Sequence, residues 1–209
     1  MKQLLTIFLL IFFFSISYAN TGDEAKIQQT YKKYRSALLS NNGLSAWQEI
    51  DKRTQDYYHD IAKDCISLNR KDFDRLDLIS KILILRIRLE YRAEQLKKMD
   101  GEDIFTVGVN KGWINKSSVQ AIEHFSKVIV NQNMAQGFIE QNPNFPTLYF
   151  TKEGIYWKIS LWKHLEMGNM VLKQDIQNKK MSENEFLSII LGQLSKYKVD
   201  NQIFDGPIK

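Results

Sequence analysis

Cysteine and proline are scarce in this sequence, which limits how the chain can be stabilised. The 209 residues include one cysteine, Cys65, and three prolines, all in the last third. A single cysteine excludes a disulfide within one chain, so the fold must be stabilised by packing. Cys65 lies on an apolar helical pattern, which predicts a small buried side chain. No tract rich in proline, glycine or serine marks a linker, and we predict one domain over residues 20–209.

Motifs for several common chemistries are missing as well. The sequence has no glycine-rich phosphate loop, no Gly-x-Ser-x-Gly motif and no Cys-x-x-Cys pair. Only three histidines are present. Asp60 and Asp64 share one helix face, but His59 lies off that face and no further ligand completes a metal set. We therefore predict no metal site and no cofactor.

Charge of one sign is nowhere concentrated. The chain has 29 basic and 24 acidic residues and a formal net charge of +5. A nucleic-acid-binding domain usually gathers its cations on one face, and both signs are interspersed here. Arg86, Arg88 and Arg92 could bind an anion, but Glu90 lies among them, which favours a solvated helix face. No nucleic-acid partner is predicted.

A long apolar run occurs at the N-terminus. Lys2 precedes an apolar segment from Leu4 to Phe14, which is shorter than the roughly 20 residues that span a bilayer. Ser17 and Ala19 then supply the small residues that signal peptidase reads. We predict a signal peptide over residues 1–19, cleaved after Ala19, and a periplasmic or secreted mature chain without a stable membrane anchor. An uncleaved anchor helix is the alternative.

Apolar residues recur at helical spacing through the first two thirds of the chain. The predicted helices span residues 23–39, 45–66 and 71–99. Alternation around Leu85 in the third segment also fits a strand, but a breaker-free run of that length favours a helix. Asp100 and Asp103 form a capping-box pair, which predicts a short helix that Gly112 ends.

The pattern changes to the alternation of strands from about Val119. Residues 119–161 predict a meander of antiparallel strands, with His124 on the first strand and Trp157 near the middle of the sheet. Gly154 predicts a hairpin turn. Helices over 162–178 and after a capping box at Ser182 follow. Helices, antiparallel strands and then helices define an α+β fold.

Several short motifs occur together in an order that resembles one known superfamily. In chain order they are Tyr34-Arg35-Ser36-Ala37, Asn42-Gly43, Ala46, Thr54, Tyr57-Tyr58, Leu83 to Arg86, Met99-Asp100-Gly101, Gly112-Trp113-Ile114, Lys152-Glu153-Gly154, Trp157 to Leu161, Phe186 and Pro207. With these motifs the chain resembles a bacterial branch of the nuclear transport factor two-like superfamily, also called cystatin-like or SnoaL-like. The resemblance covers most of residues 20–209.

The resemblance implies a cone, in which N-terminal helices pack on a strongly bent antiparallel sheet and C-terminal helices follow. It also implies a pocket between the concave face of the sheet and the first helices. The extra helical length between Leu44 and Met99 could cover that pocket. Members of the superfamily include isomerases, dehydratases, polyketide cyclases, toxin-immunity proteins and binding domains, so the fold alone does not select a function.

Four aromatic residues are candidates for contact with a ligand in that pocket: Tyr58, Trp113, Tyr149 and Trp157. Large apolar faces suit them to stacking, although aromatic residues at these spacings also occur in cores. Enzymes on this cone pair a carboxylate with a histidine or tyrosine. His124 is the best-placed histidine, with Asp100 or Tyr58 as a candidate partner; an ordinary surface or core histidine is the alternative.

Apolar residues outnumber ionisable groups on the predicted concave elements, which is typical of binding pockets. We expect an exported, non-catalytic binding domain for a small apolar molecule in the cone, or for an envelope protein on its surface. The alternatives are a pocket enzyme of isomerase, dehydratase or cyclase type that uses His124, and a toxin-immunity-like interaction protein.

Overall fold

The computed structural model describes residues 21–113, 119–194 and 201–207. The predicted signal peptide, residues 1–19, lies outside the described residues. The helices before the sheet are α1 (Thr21–Leu39), α2 (Gly43–Trp47), α3 (Lys52–Ser67), α4 (Arg70–Phe73), α5 (Leu78–Glu90), α6 (Ala93–Leu96) and α7 (Gly101–Asn110). After the sheet come α8 (Trp162–Lys179), α9 (Glu183–Leu194) and a 3-10 helix (Asn201–Phe204).

The sheet is an antiparallel meander between the two groups of helices. Its strands are β1 (Lys127–Asn131), β2 (Met134–Phe138), β3 (Leu148–Glu153) and β4 (Tyr156–Ser160), in the spatial order β1-β2-β3-β4. The α+β class and the order of elements are confirmed. The sheet is not strongly curled, and it differs in this respect from the strongly bent sheet that the resemblance implies.

Two of the long helices predicted from apolar spacing are divided into shorter ones. The 45–66 segment becomes α2 and α3, because the Asp51 side chain accepts the Thr54 backbone N–H and starts a new helix. The 71–99 segment becomes α4, α5 and α6, and Asp77 caps α5 through the Ser80 backbone N–H. The apolar periodicity continues across both capping residues, so it did not indicate that the helices end and restart there.

The first predicted strand is wrong over most of its length. Pairing begins only at Lys127, and His124 lies in the preceding loop with an exposed side chain. Side chains of α1 bind the backbone of this loop: the Tyr31 hydroxyl donates to the Ile122 carbonyl at 2.8 Å, and the Gln28 amide donates to the Phe125 carbonyl at 2.9 Å. These bonds satisfy backbone groups that a strand would pair with a neighbour.

One hydrophobic core, called the sheet core here, lies between α1 and the inner face of the sheet. Its residues include Ile27, Tyr31, Tyr34, Val128, Ala135, Phe150, Trp157 and Ile159. Trp157 lies on β4 at one end of the strand order, not near the middle as predicted. Its indole N–H donates to an Asp23 carboxylate oxygen at 3.0 Å. This hydrogen bond and Lys152 hold the pKa of Asp23 below its ordinary 3.8.

A second core, called the helical core here, is built from α3, α5, α7, α9 and the 3-10 helix. Cys65 lies in it and is 0% exposed, which confirms the predicted buried side chain, and burial raises the pKa of its thiol to about 12. Arg88 is also buried, which corrects its assignment to a solvated face. Its guanidinium donates to the Cys65, Leu68 and Ile203 carbonyls at 2.9, 2.8 and 3.0 Å. Arg88 thereby joins the end of α3 to the 3-10 helix.

Candidate functional site

An apolar cavity of about 220 Å3 lies between α3, α5 and α7. Its lining consists of Tyr58, Ile79, Ile82, Leu83, Arg86, Ile104, Phe105, Gly108 and Trp113. The cavity therefore brings together two of the predicted ligand contacts, Tyr58 and Trp113. It belongs to the helices and not to the concave face of the sheet.

One face of α5 forms a wall of the cavity. Ile79, Ile82, Leu83 and Arg86 are spaced at i, i+3, i+4 and i+7, which places them on one side of the helix. Asp77 sets the start of α5 and hence the direction of this face. Three apolar side chains and one cation thus line the same wall.

Trp113 reaches the cavity because the chain turns sharply after α7. Gly112 adopts a φ of +67°, a conformation that glycine takes without strain. The Trp113 backbone N–H then donates to the Gly108 carbonyl at 2.9 Å. A Cβ atom on Gly108 would lie 3.4 Å from Cε3 of Trp113, so the indole packs directly on the α7 backbone.

Tyr58 and Phe105 form the aromatic side of the cavity. Their ring centroids are 5.1 Å apart at an interplanar angle of 84°. Tyr58 also meets Trp47 of the sheet core, with centroids 6.4 Å apart. Burial raises the pKa of Tyr58 to about 12, so its hydroxyl stays protonated at neutral pH. Tyr58 therefore provides an apolar surface and a neutral hydroxyl, not a base.

Arg86 is the charged group of the cavity. Its guanidinium carbon lies 4.1 Å from the centroid of the Trp113 ring. Its Nε is buried and has no hydrogen-bond partner among the described residues. Glu90 Oε1 is 3.9 Å from Nε, too far for a hydrogen bond, and Glu90 is also paired with Lys111. Burial lowers the pKa of Arg86 below its ordinary value, an effect that Glu90 opposes.

The other two predicted ligand contacts lie away from this cavity. Trp157 is 2% exposed in the sheet core. Tyr149 lies on the outer face of the sheet, in a groove of about 540 Å3 bordered by Trp162 of α8. The predicted pocket on the inner face is filled, because Ile27 and Tyr31 of α1 are 0% and 2% exposed there.

The predicted catalytic candidates do not form a pair in the described structure. His124 borders a shallow groove of about 260 Å3 and makes no hydrogen bond to a described residue. Asp100 caps α7, since its carboxylate accepts the Asp103 backbone N–H at 3.0 Å. The predicted capping box is confirmed, because the Asp103 carboxylate accepts the Asp100 N–H in return. Asp100 therefore has a structural contact of its own.

His59 likewise has a structural contact. Its Nδ1 accepts the Gly101 backbone N–H at 3.1 Å, which joins α3 to the start of α7. In the described ranges, no three His, Cys, Asp or Glu side chains come together in a way that could hold a metal ion.

Arg86 was predicted on a solvated helix face, and no binding role was predicted for the apolar residues of α5 that line the cavity. Their spacing at i, i+3, i+4 and i+7 was a visible signal. What the spacing could not show was that α3 and α7 leave a gap opposite this face.

The comparisons with known proteins place no constraint on this site. No family model, no curated protein and no solved structure matches the chain. Among the helices of the described ranges, none combines the length and hydropathy required to cross a bilayer.

Proposed function

We propose that the chain is an exported, non-catalytic binding domain that holds a small apolar molecule in the cavity between α3, α5 and α7. The observation that carries the proposal is the cavity itself, in which aromatic and aliphatic side chains surround a gap with one charged group at its wall. Binding pockets typically combine such a lining with few polar groups.

The energetics suit a small ligand held by burial of apolar surface. Each Å2 of apolar surface removed from water contributes about 25 cal/mol, so burying about 200 Å2 contributes about 5 kcal/mol before the costs of association. A well-placed polar contact would add to that. We expect binding without chemistry, because the described lining of the cavity contains no carboxylate and no histidine that could act as a base.

Export and the superfamily resemblance are parts of the proposal. The N-terminal sequence supports export through Lys2, the apolar segment and Ala19. Helices followed by an antiparallel meander support a relationship to the nuclear transport factor two-like superfamily. The weakly curled sheet and the filled inner face distinguish this chain from a cone with a central pocket, and the proposed site is accordingly in the helices.

The test is ligand binding by the mature chain and by a variant with a blocked cavity. The exported protein, purified from its source, is analysed by native mass spectrometry for a bound small molecule. Hexanol and toluene then serve as neutral probes in thermal unfolding. We expect the probes to raise Tm for the wild type. Leu83→Trp should abolish the shift by filling the cavity, whereas Ile189→Trp, at an exposed position on α9, should retain it.

An envelope protein partner is the second candidate, and α8 is the observation in its favour. None of the described residues of α8 is buried, and Met167, Met170 and Val171 are exposed on it. Exposed apolar groups of this kind occur at interaction sites. If a stoichiometric protein co-purifies and neither probe shifts Tm, the partner function replaces the cavity function. An enzyme that uses His124 would require turnover that His124→Ala abolishes.

A further inference from the structure

We propose that the cavity between α3, α5 and α7 selects a small monocarboxylate with an apolar body, and that the Arg86 guanidinium binds its carboxylate. This inference rests on the proposed function, since it names the class of ligand that the same cavity holds.

Arg86 is the one charged side chain among the described residues that line the cavity. Among the described residues its buried Nε has no acceptor, and the Glu90 carboxylate lies 3.9 Å from it. A buried donor that lacks an acceptor is unfavourable, and a ligand carboxylate would supply that acceptor. Carboxylates also match the planar fork of a guanidinium.

The contact of Arg86 with Trp113 is a cation–π contact, which uses none of the guanidinium N–H donors. The guanidinium carbon lies 4.1 Å from the ring centroid, so the indole occupies one face of the cation. The N–H groups lie in the plane of the guanidinium and point outward from its edge. Trp113 thus fixes the position of the cation without using its hydrogen-bonding capacity.

The size of the cavity limits the apolar body of the ligand. The cavity of about 220 Å3 is smaller than the roughly 300–1,000 Å3 typical of pockets for drug-sized ligands, so it restricts the ligand to a small molecule. A short-chain or single-ring carboxylate has these dimensions, whereas the chain of a membrane phospholipid exceeds them. The Glu90 carboxylate beside Arg86 disfavours a second negative charge, so a monoanion is preferred over a phosphate dianion.

Titration calorimetry on the mature chain tests the proposal with three probes of similar shape: hexanoate, hexanol and hexylamine. We expect hexanoate to bind about tenfold to a hundredfold more tightly than hexanol, as hydrogen bonds to charged groups allow. Arg86→Gln should remove that preference, so that the affinity for hexanoate falls to that for hexanol. Arg75→Gln, the matched loss of charge at an exposed arginine outside the cavity, should change neither.

The outcomes separate this inference from the function on which it rests. Equal affinity for hexanoate and hexanol, or a preference for hexylamine, overturns the carboxylate assignment and leaves the apolar cavity in place. Retention of the hexanoate preference in folded Arg86→Gln has the same consequence. Absence of binding by all three probes overturns the proposed function as well. The relative affinities of the wild type for hexanoate, hexanol and hexylamine test the carboxylate assignment without any variant. The test therefore remains possible if Arg86→Gln does not fold.

Discussion

The sheet core and the helical core border the cavity between α3, α5 and α7 to different extents. In the sheet core, α1 covers the inner face of the strands, and the Trp157 indole N–H is bonded to Asp23. The helical core contains fully buried residues such as Cys65, and its residues Leu83, Ile104 and Trp113 line the cavity. The cavity thus lies mainly against the helical core, with Phe105 as its contact with the sheet core.

The difference shows why the location of the site could not be taken from a resemblance. A helix laid along a weakly curled sheet brings side chains of both elements into one packed layer. The helices α3, α5 and α7 each begin at an aspartate cap, and the side chains between them need not close the space that the helices leave. We therefore expect changes in the sheet core to affect stability and changes at the cavity wall to affect binding.

The largest expected effect comes from Trp157→Ala in the sheet core. Loss of a buried aromatic side chain costs about 3–5 kcal/mol of the free energy of unfolding, and Asp23 also loses its indole donor. Leu83→Ala at the cavity wall should cost less than about 2 kcal/mol, because Leu83 already faces unfilled space. Urea unfolding measures both. Equal losses would contradict the difference between the cores.

A smaller difference in the free energy of unfolding is expected between alanine substitutions at two glycines of α7. A Cβ on Gly101 would lie 2.4 Å from the His59 backbone nitrogen, so Gly101→Ala should lower the free energy of unfolding by about 1–3 kcal/mol. A Cβ on Gly108 meets only Trp113, at 3.4 Å, so Gly108→Ala should raise it by about 0.5 kcal/mol through helix propensity. Thermal unfolding of the pair gives the comparison.

The two glycine variants also report on the space beside α7. Destabilisation of both by similar amounts would mean that Trp113 packs as rigidly against α7 as His59 does. The cavity wall at Gly108 would then have no room to accept a ligand.

The smallest expected effect is a pH dependence that arises in the sheet core. The pKa of Asp23 is lowered by its hydrogen bond from Trp157 and by Lys152, so the folded state prefers the charged carboxylate. This stabilisation is complete above the ordinary pKa of 3.8 and is lost as pH falls through the lower folded-state value. Asp23→Asn should reduce the decrease in Tm between about pH 5 and pH 2.

The matched control for this pH dependence is Asp56→Asn, at an exposed residue that forms an ion pair with Lys52. It should leave the acid dependence unchanged, because exposed ion pairs contribute little to stability. An identical decrease in Tm for the wild type and Asp23→Asn would show that the Asp23 hydrogen bond does not stabilise the folded state.

Local signals in the sequence predicted several elements well. The Ser182 capping box precedes α9, and its hydroxyl and backbone N–H both bond to Glu185. Gly154 adopts a φ of +61° in the hairpin between β3 and β4. Both features depend on neighbouring residues alone, so they are visible without knowledge of the fold.

Local sequence signals do not predict the structure correctly where side chains from distant parts of the chain decide it. His124 lies in a loop because Tyr31 and Gln28 of α1, far away in the chain, bind its backbone surroundings. The alternation of apolar and polar residues is compatible with a strand and with this loop alike. The hydrogen bonds from α1 decide that the segment is a loop.

By itself, the amino-acid sequence determined the α+β class, the capping boxes at Asp100 and Ser182, the hairpin turn at Gly154 and the burial of Cys65, because each follows from local hydrogen bonding or apolar pattern. Tertiary structure alone decided that the inner face of the sheet is filled and that Tyr58, Arg86 and Trp113 meet around a cavity. The physical reason is that a cavity depends on how closely separate elements approach, and spacing along one helix carries no information about the distance to the next.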